Sequence, residues 1–251
     1  MSGHNKWSTI KRKKGAADAK RGQLFTRITR EIVIAAREGG GDPDANMRLR
    51  IAVDKAKSQN MPKENIERAI KRGSGDDKEG VNYEEIYYEG YGPHGIALMM
   101  ECVTENRNRT VAEIRHTLSR SGGGMGEAGS VAWQFKKAAV FEIPADSIDF
   151  DSVFELAVDG GADDVTEDGD TYYITAPVES FKILNTKLND AKVKIDDAGL
   201  RMIPNQEIEL SVGDTLQVLK TVDALEDMDD IQNVFHNLKV SDEAMAALEE
   251  E

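Results

Sequence analysis

The chain has 251 residues, enough for two or three compact units, and its 39% hydrophobic and 31% charged side chains exclude a wholly disordered polymer. The single cysteine, Cys102, excludes an intramolecular disulfide and any multi-cysteine zinc site, and the longest apolar runs, Ile32 to Ala36 and Ile96 to Met100, are too short for a membrane span. The net charge of −14 hides a split: residues 1–75 hold 18 Lys+Arg against 8 Asp+Glu, a net of +10, and the remaining 176 residues carry −24.

Residues 1–15 have almost no apolar periodicity and read as a flexible basic arm. The start is charged but has no apolar h-region, so no secretory signal is expected, and the cytoplasm is the expected compartment. From about Ala16 to Glu38, Leu24, Ile28, Ile32 and Ala35 recur on one helical face. Gly39-Gly40-Gly41 ends that helix. Asp42-Pro43 reads as an N-cap with proline at the first helical position, opening a second helix to about Ser58. Met61-Pro62 opens a third, with Ile66, Ala69 and Ile70 inward and Gly73 past its end.

Beyond the break at Gly73–Asp77 the pattern changes. Tyr83–Tyr91 and Gly95–Val103 read as strands around the turn Gly92-Pro93. A helix is expected over Asn106–Ser119, then strands at Val131–Phe135 and Ala138–Ile143. A helix over Asp149–Asp159, strands flanking Asp168-Gly169, a helix over Val178–Ala191 and a strand at Lys194–Ile195 before Met202–Pro204 follow. That order fits a ferredoxin-like unit. A helix over Gly213–Asp223, a strand at Val234–Leu238 and an acidic, helix-prone tail from Glu243 complete the chain. The expected fold is therefore α+β: an N-terminal three-helix domain followed by two α/β domains, ferredoxin-like, one inserted into the other. The expected boundaries are 1–75, then 81–136 with 205–240, interrupted by 137–204.

Enzyme-like patterns fail on context. Gly124-Met125-Gly126-Glu127-Ala128-Gly129 fits G-x-G-x-x-G, but with a helix before it and a strand after it, the reverse of a dinucleotide site. Asp164–Gly169 lacks a calcium ligand set, because Thr166 and Thr175 stand where ligands are needed. The four histidines are scattered, so no metal and no cofactor are expected. Adjacent carboxylates such as Asp163-Asp164, Asp196-Asp197 and Asp229-Asp230 read as solvated loop residues. A two-metal nuclease would need such groups to converge from separate elements.

The basic features carry the functional reading. Lys6, Lys11, Arg12, Lys13, Lys14, Lys20, Arg21 and Arg27 crowd the first thirty residues, where Asp18 is the sole acid. Clustered cations release counterions from a phosphate backbone, and a local potential binds a polyanion even when the mean charge is negative. Trp7 either stacks on an unpaired base or staples onto the helices. Lys63, Arg68, Lys71 and Arg72 on the third helix form either a second contact, in the manner of a helix-turn-helix reader, or a plain solvated face. Arg107 and Arg109, at an expected helix N-terminus, form either a further phosphate contact or in-chain ion pairs.

Gly3-His4-Asn5-Lys6-Trp7-Ser8, Asp18-Ala19-Lys20-Arg21-Gly22, Asn60-Met61-Pro62-Lys63-Glu64-Asn65-Ile66-Glu67-Arg68-Ala69-Ile70, Tyr88-Glu89-Gly90-Tyr91-Gly92-Pro93 and Gly129-Ser130-Val131-Ala132-Trp133 resemble the YebC family, over about residues 2–240. The resemblance implies three domains and no catalytic residues. It also implies a DNA-binding transcriptional regulatory protein or, as in mitochondrial and some bacterial relatives, a translation factor acting on RNA and the ribosome. The family's N-terminal pattern falls here on Lys6, Trp7, Lys11, Lys14, Lys20 and Arg21. The expectation is a non-enzymatic regulator of gene expression that binds nucleic acid. Protein partners would meet its acidic α/β domains, and no membrane is involved. A metal-dependent nuclease and a protein-assembly module are the competing readings.

Overall fold

The computed structural model describes residues 18–75 and 83–249. The chain separates into two compact units: Phe135–Ile203, and a larger one formed by the chain up to Gln134 together with the chain from Pro204.

The larger unit opens with α1 (Asp18–Gly39), α2 (Met47–Ser58) and α3 (Lys63–Gly73). Ile28, Ile32, Val33 and Ala36 of α1 pack on Leu49, Ala52, Val53 and Ala56 of α2 and on Ile66 and Ala69 of α3. Each fully buried Ile, Leu or Val contributes about 1.5–3 kcal/mol. Gly73 lets α3 lie directly on α1, since a Cβ there would stand 2.4 Å from the Val33 carbonyl oxygen. The second helix starts later than Asp42-Pro43 suggests. Asn46 is the true N-cap, its Oδ1 accepting from the Leu49 N–H at 3.1 Å. Its Nδ2 donates to the carbonyls of Ala35 and Gly40, at 2.7 and 2.8 Å. An amide side chain can serve both helix ends in this way, whereas a carboxylate only accepts. Asp42 instead closes a local turn by accepting from the Asp44 N–H. Asn60, in the left-handed region at φ 57°, turns the chain from α2 into α3.

The chain then runs through β1 (Glu84–Tyr91), β2 (Ala97–Thr104), α4 (Arg107–Arg120) and β3 (Gly124–Met125). Next come β4 (Phe135–Pro144), α5 (Phe150–Asp159), β5 (Asp164–Asp168), β6 (Thr171–Ala176), α6 (Phe181–Asp190) and β7 (Asp197–Pro204). It ends with β8 (Ile208–Glu209), α7 (Val212–Glu226), β9 (Ile231–His236), β10 (Leu238–Lys239) and α8 (Asp242–Glu249).

In the larger unit a four-stranded sheet has the order β3-β1-β2-β9, with antiparallel neighbours. Leu98, Met100 and Cys102 of β2 meet Ile114 and Leu118 of α4, and Val218, Val222 and Leu225 of α7. The acidic tail is part of this core: Ala244 and Met245 of α8 are buried in it. Burial pushes the Cys102 thiol pKa up, so it packs as an apolar group.

The smaller unit has the sheet order β5-β6-β4-β7 and alternates strand–helix–strand–strand–helix–strand, the ferredoxin-like arrangement. Phe141 and Phe181 stack at 4.9 Å, and Phe150 meets Tyr172 edge-on at 5.5 Å. Its last strand begins at Asp197 rather than Lys194. The intervening residues close α6: Lys192 is left-handed at φ 58° and Val193 donates to the Leu188 carbonyl. On the larger unit, the two chain ends that flank this insertion are tied together. Asn205 donates from its backbone N–H to the Gln134 carbonyl at 2.7 Å, and from Nδ2 to the Trp133 carbonyl at 3.0 Å.

Candidate nucleic-acid interface

The residues expected to bind nucleic acid divide by what holds them. Lys6, Trp7, Lys11, Arg12, Lys13 and Lys14 lie outside the described residues. Lys20 and Arg21 fall on the first turn of α1. Arg27, further along α1, faces in-chain acids. Burial lowers its pKa, against the opposing charges of Glu226, Asp227 and Asp229. Arg107 pairs with Glu84. Arg109 donates to both carboxylate oxygens of Asp230, at 3.1 and 2.9 Å. The N-terminus of α4 is capped, the Asn106 side chain accepting from the Arg109 N–H at 3.1 Å.

On α1–α3, acids or carbonyls of the chain also take up neighbouring cations. Arg37 donates to the Tyr83 carbonyl, and Arg48 pairs with Glu38 and Glu85. Arg50 meets Asp44 at 2.6 Å, Lys55 meets Glu31 at 3.3 Å, and Lys57 meets Asp54 at 3.3 Å. Lys63 reaches Glu67 at 3.6 Å while remaining 88% exposed. Arg68, Lys71 and Arg72 are different. They sit on the outer side of α3, Arg68 and Lys71 exposed and Arg72 half-buried, and none pairs with a described acid. Spacings of three and four residues put Arg68 beside Lys71 and Arg72 on one helical face.

Asp230 is a correction to the sequence reading. It is not a solvated loop carboxylate but is 2% exposed, next to β9, at the meeting point of α1, β2 and α4. Arg30 of α1 donates to its Oδ1 at 2.9 Å. Thr104 and Thr110 donate to its Oδ2 at 3.0 and 2.7 Å, and Arg109 donates from one nitrogen, Nη2, to both oxygens. Arg30, only 8% exposed, also donates to the Val103 carbonyl and lies over the Tyr83 ring. Burial alone would push the Asp230 pKa up. The bonds from Arg109, Thr110 and Thr104 and the charge of Arg30 outweigh it and hold the carboxyl below its ordinary range. This cluster clamps the helical segment onto the sheet. It uses Arg30, one of the basic residues of the first thirty, and gives Arg109 the in-chain ion pair that is one of its two sequence readings.

The glycine-rich loop after β3 is a second unexpected construction. Glu89 of β1 accepts from the backbone N–H groups of Gly129, Val131 and Ala132, at 2.7, 2.7 and 2.8 Å. A run of amides that could cradle a phosphate is therefore occupied by a carboxylate of the same chain. The strand expected at Val131–Phe135 does not form before Phe135, because those amides point at Glu89 rather than at a neighbouring strand. Ala132–Gln134 is a 3-10 turn instead. Partial burial raises the Glu89 pKa, but the three amides outweigh this and lower it. The group contributes fully above the ordinary carboxylate pKa of 4.5 and loses its contribution as pH falls through the depressed value. Hydrogen-exchange protection at Gly129, Val131 and Ala132, measured against the unfolded chain at the same pH, should therefore stay high down to pH 4.5 and fall only below it. In Glu89→Ala those amides should lose that protection at every pH, and unchanged protection would show that the loop is held otherwise.

No helix of the described residues is long and apolar enough to cross a membrane. Comparison with known proteins places the whole chain. Residues 5–76 match the model of the TACO1/YebC protein N-terminal domain, and residues 83–238 match that of the TACO1/YebC second and third domain. A protein of Chlorobaculum parvum is 50% identical over 252 residues, all of both chains. One of Geobacter sulfurreducens is 51% identical over 248 residues, 99% of this chain and 100% of the relative. Both bear the name "Probable transcriptional regulatory protein". A crystal structure of a conserved hypothetical protein from Aquifex aeolicus superposes with a TM-score of 0.84 at 38% identity, covering 90% of this chain and 93% of that one.

Proposed function

The chain belongs to the TACO1/YebC family, and from that premise we propose that it regulates gene expression as a nucleic-acid-binding protein rather than as an enzyme. One observation carries the reading. Arg68, Lys71 and Arg72 pair with no described acid, and they share one helical face of α3 on which Arg68 and Lys71 are exposed. In sequence, the cationic run Lys11-Arg12-Lys13-Lys14 adds further charge to the same half of the chain. Together they would grip phosphate, while the acidic remainder disfavours non-specific coating of duplex. The names borne by the relatives favour DNA as the target and transcription as the process. The 72% exposure of Trp133, a ring that can stack on an unpaired base, favours the second reading, a translation factor on RNA.

The test is binding of the full chain to a labelled 20-base-pair DNA duplex and to an RNA hairpin, followed by fluorescence anisotropy. If about six phosphates are neutralised, affinity should fall about 10³-fold between 50 and 200 mM salt. Reversing α3 with R68E/K71E/R72E should cost at least about tenfold and flatten the salt slope by roughly 2–3. Reversing Lys11, Arg12, Lys13 and Lys14 to glutamate should abolish binding. Unchanged affinity and slope in both variants would refute the site. Crosslinking in cells with sequencing of the captured polymer separates DNA from RNA.

A further inference from the structure

Two large aromatic rings of the larger unit stand out of the surface at one place. Trp133 is 72% exposed and Tyr91 38%. Both are fixed by their polar tips to the same atom: the Trp133 indole N–H and the Tyr91 hydroxyl each donate to the Ser130 carbonyl at 3.1 Å. The backbone beneath Trp133 is held as well. Glu89 takes the Ala132 N–H, and Asn205 donates to the Trp133 carbonyl. A tryptophan left this exposed forgoes much of the burial that a core position would give it, yet here the ring is tethered rather than free. With the polar edges occupied, the apolar ring faces are what remains to interact.

The surroundings select the occupant. The backbone at Gly123 lies against the Tyr91 carbonyl, where a Cβ would approach to 2.2 Å, and Gly122, Gly124 and Gly129 carry no side chain that could obstruct an approaching chain. Three residues before Gly123, the exposed Arg120 closes α4. Aromatic faces, bare backbone and an exposed arginine at the end of the neighbouring helix match a single-stranded polyanion whose bases are unpaired. A protein partner fits less well. A stable interface covers roughly 800 Å² per partner, and two rings of about 150–250 Å² each, partly buried already, supply a fraction of that.

We propose that Trp133, flanked by Tyr91, is a stacking site for one unpaired nucleobase of single-stranded nucleic acid, with Glu89 as the positioning residue that holds its loop. The site rests on the reading that this chain binds nucleic acid, but it is separate from the basic face of α3.

The experiment uses the full chain labelled with 5-fluorotryptophan. Its two tryptophans give two ¹⁹F resonances, and Trp133→Phe identifies the one from Trp133. A single-stranded 12-mer oligoribonucleotide should shift that resonance, and the blunt duplex of the same sequence should not. Trp133→Ala should weaken single-strand binding about 10- to 100-fold and leave duplex binding unchanged, with Trp133→Phe restoring part of the loss. Equal single-strand affinity in Trp133→Ala, with R68E/K71E/R72E still weakening both polymers, overturns the stacking site and leaves the broader reading standing. An equal loss on both polymers also overturns it, since a base platform does not act on a closed duplex. A wild-type chain that binds neither polymer overturns both.

Discussion

Replacing Asp230 by alanine should lower the unfolding free energy of the unit that holds it by about 3–5 kcal/mol, because it strands a buried charge. Arg30 would keep the carbonyls of Val103 and Asp229 but lose its counter-ion in a site where it is 8% exposed. Thr104 would lose its acceptor as well, while Thr110 keeps the Asn106 carbonyl within reach. The effect should reach on the order of 10 °C in the melting temperature of that unit. Arg109→Ala should cost only about 1 kcal/mol, since its side chain is 43% exposed and water can replace it at the surface. The pH dependence follows from the sign of the shift. Because the Asp230 pKa is depressed in the fold, its contribution is complete above the ordinary value of 3.8 and disappears as pH falls through the lower folded value. Urea unfolding of both variants checks the order, and equal losses for Asp230→Ala and Arg109→Ala would show that Arg30 does not depend on its partner.

The smaller unit should give a comparable effect through a different pair. Arg201 of β7 lies 3.0 Å from the Glu142 carboxylate on β4, at 10% and 0% side-chain exposure, and also bonds Asp197. Arg201→Ala removes the counter-ion of a carboxylate with no exposed side-chain surface and should cost about 3–5 kcal/mol, whereas Glu142→Ala leaves Arg201 its bond to Asp197 and should cost less. A Glu142→Leu/Arg201→Met double variant removes both charges and keeps volume, so it should recover most of that loss. The change should appear in the unfolding transition of residues 135–203 alone. A double variant as unstable as the sum of the single ones would mean that the pair is not coupled.

Helix and strand identities were largely legible because periodicity reports which face is buried. Ile28, Ile32 and Ala35 are each at most 1% exposed, as their spacing predicts. The ferredoxin-like order of the smaller unit's elements was legible for the same reason. What escaped was decided by long-range polar contacts. Asp230 and its neighbour Asp229 look alike in sequence, and it takes Arg30, two hundred residues earlier, with Thr104, Arg109 and Thr110 to make one of them a buried hub. Asn46 prevailed over Asp42 as a cap because α1 ends close enough to use its second hydrogen-bonding group. The 3-10 turn at Ala132 depends on Glu89, forty-three residues upstream. On the candidate site, sequence identified the basic residues, but not which of them are spent on structure. Pairing across elements removes Arg107 and Arg109 from free display, burial near acids withdraws Arg27, and Arg68, Lys71 and Arg72 pair with no described acid.

The bond between Asn205 and Gln134 bears on the sequence of folding events. The larger unit must bring Trp133 and Asn205 together across 72 positions, and closing a disordered loop of that length costs about 4 kcal/mol of chain entropy. β4 and β7 are neighbours in the smaller sheet, so once that sheet forms it delivers its own termini side by side. The interrupted domain then faces a short closure instead of a long one. A chain of high nominal contact order can thus assemble hierarchically, the insertion condensing first and serving as a splint for the domain around it.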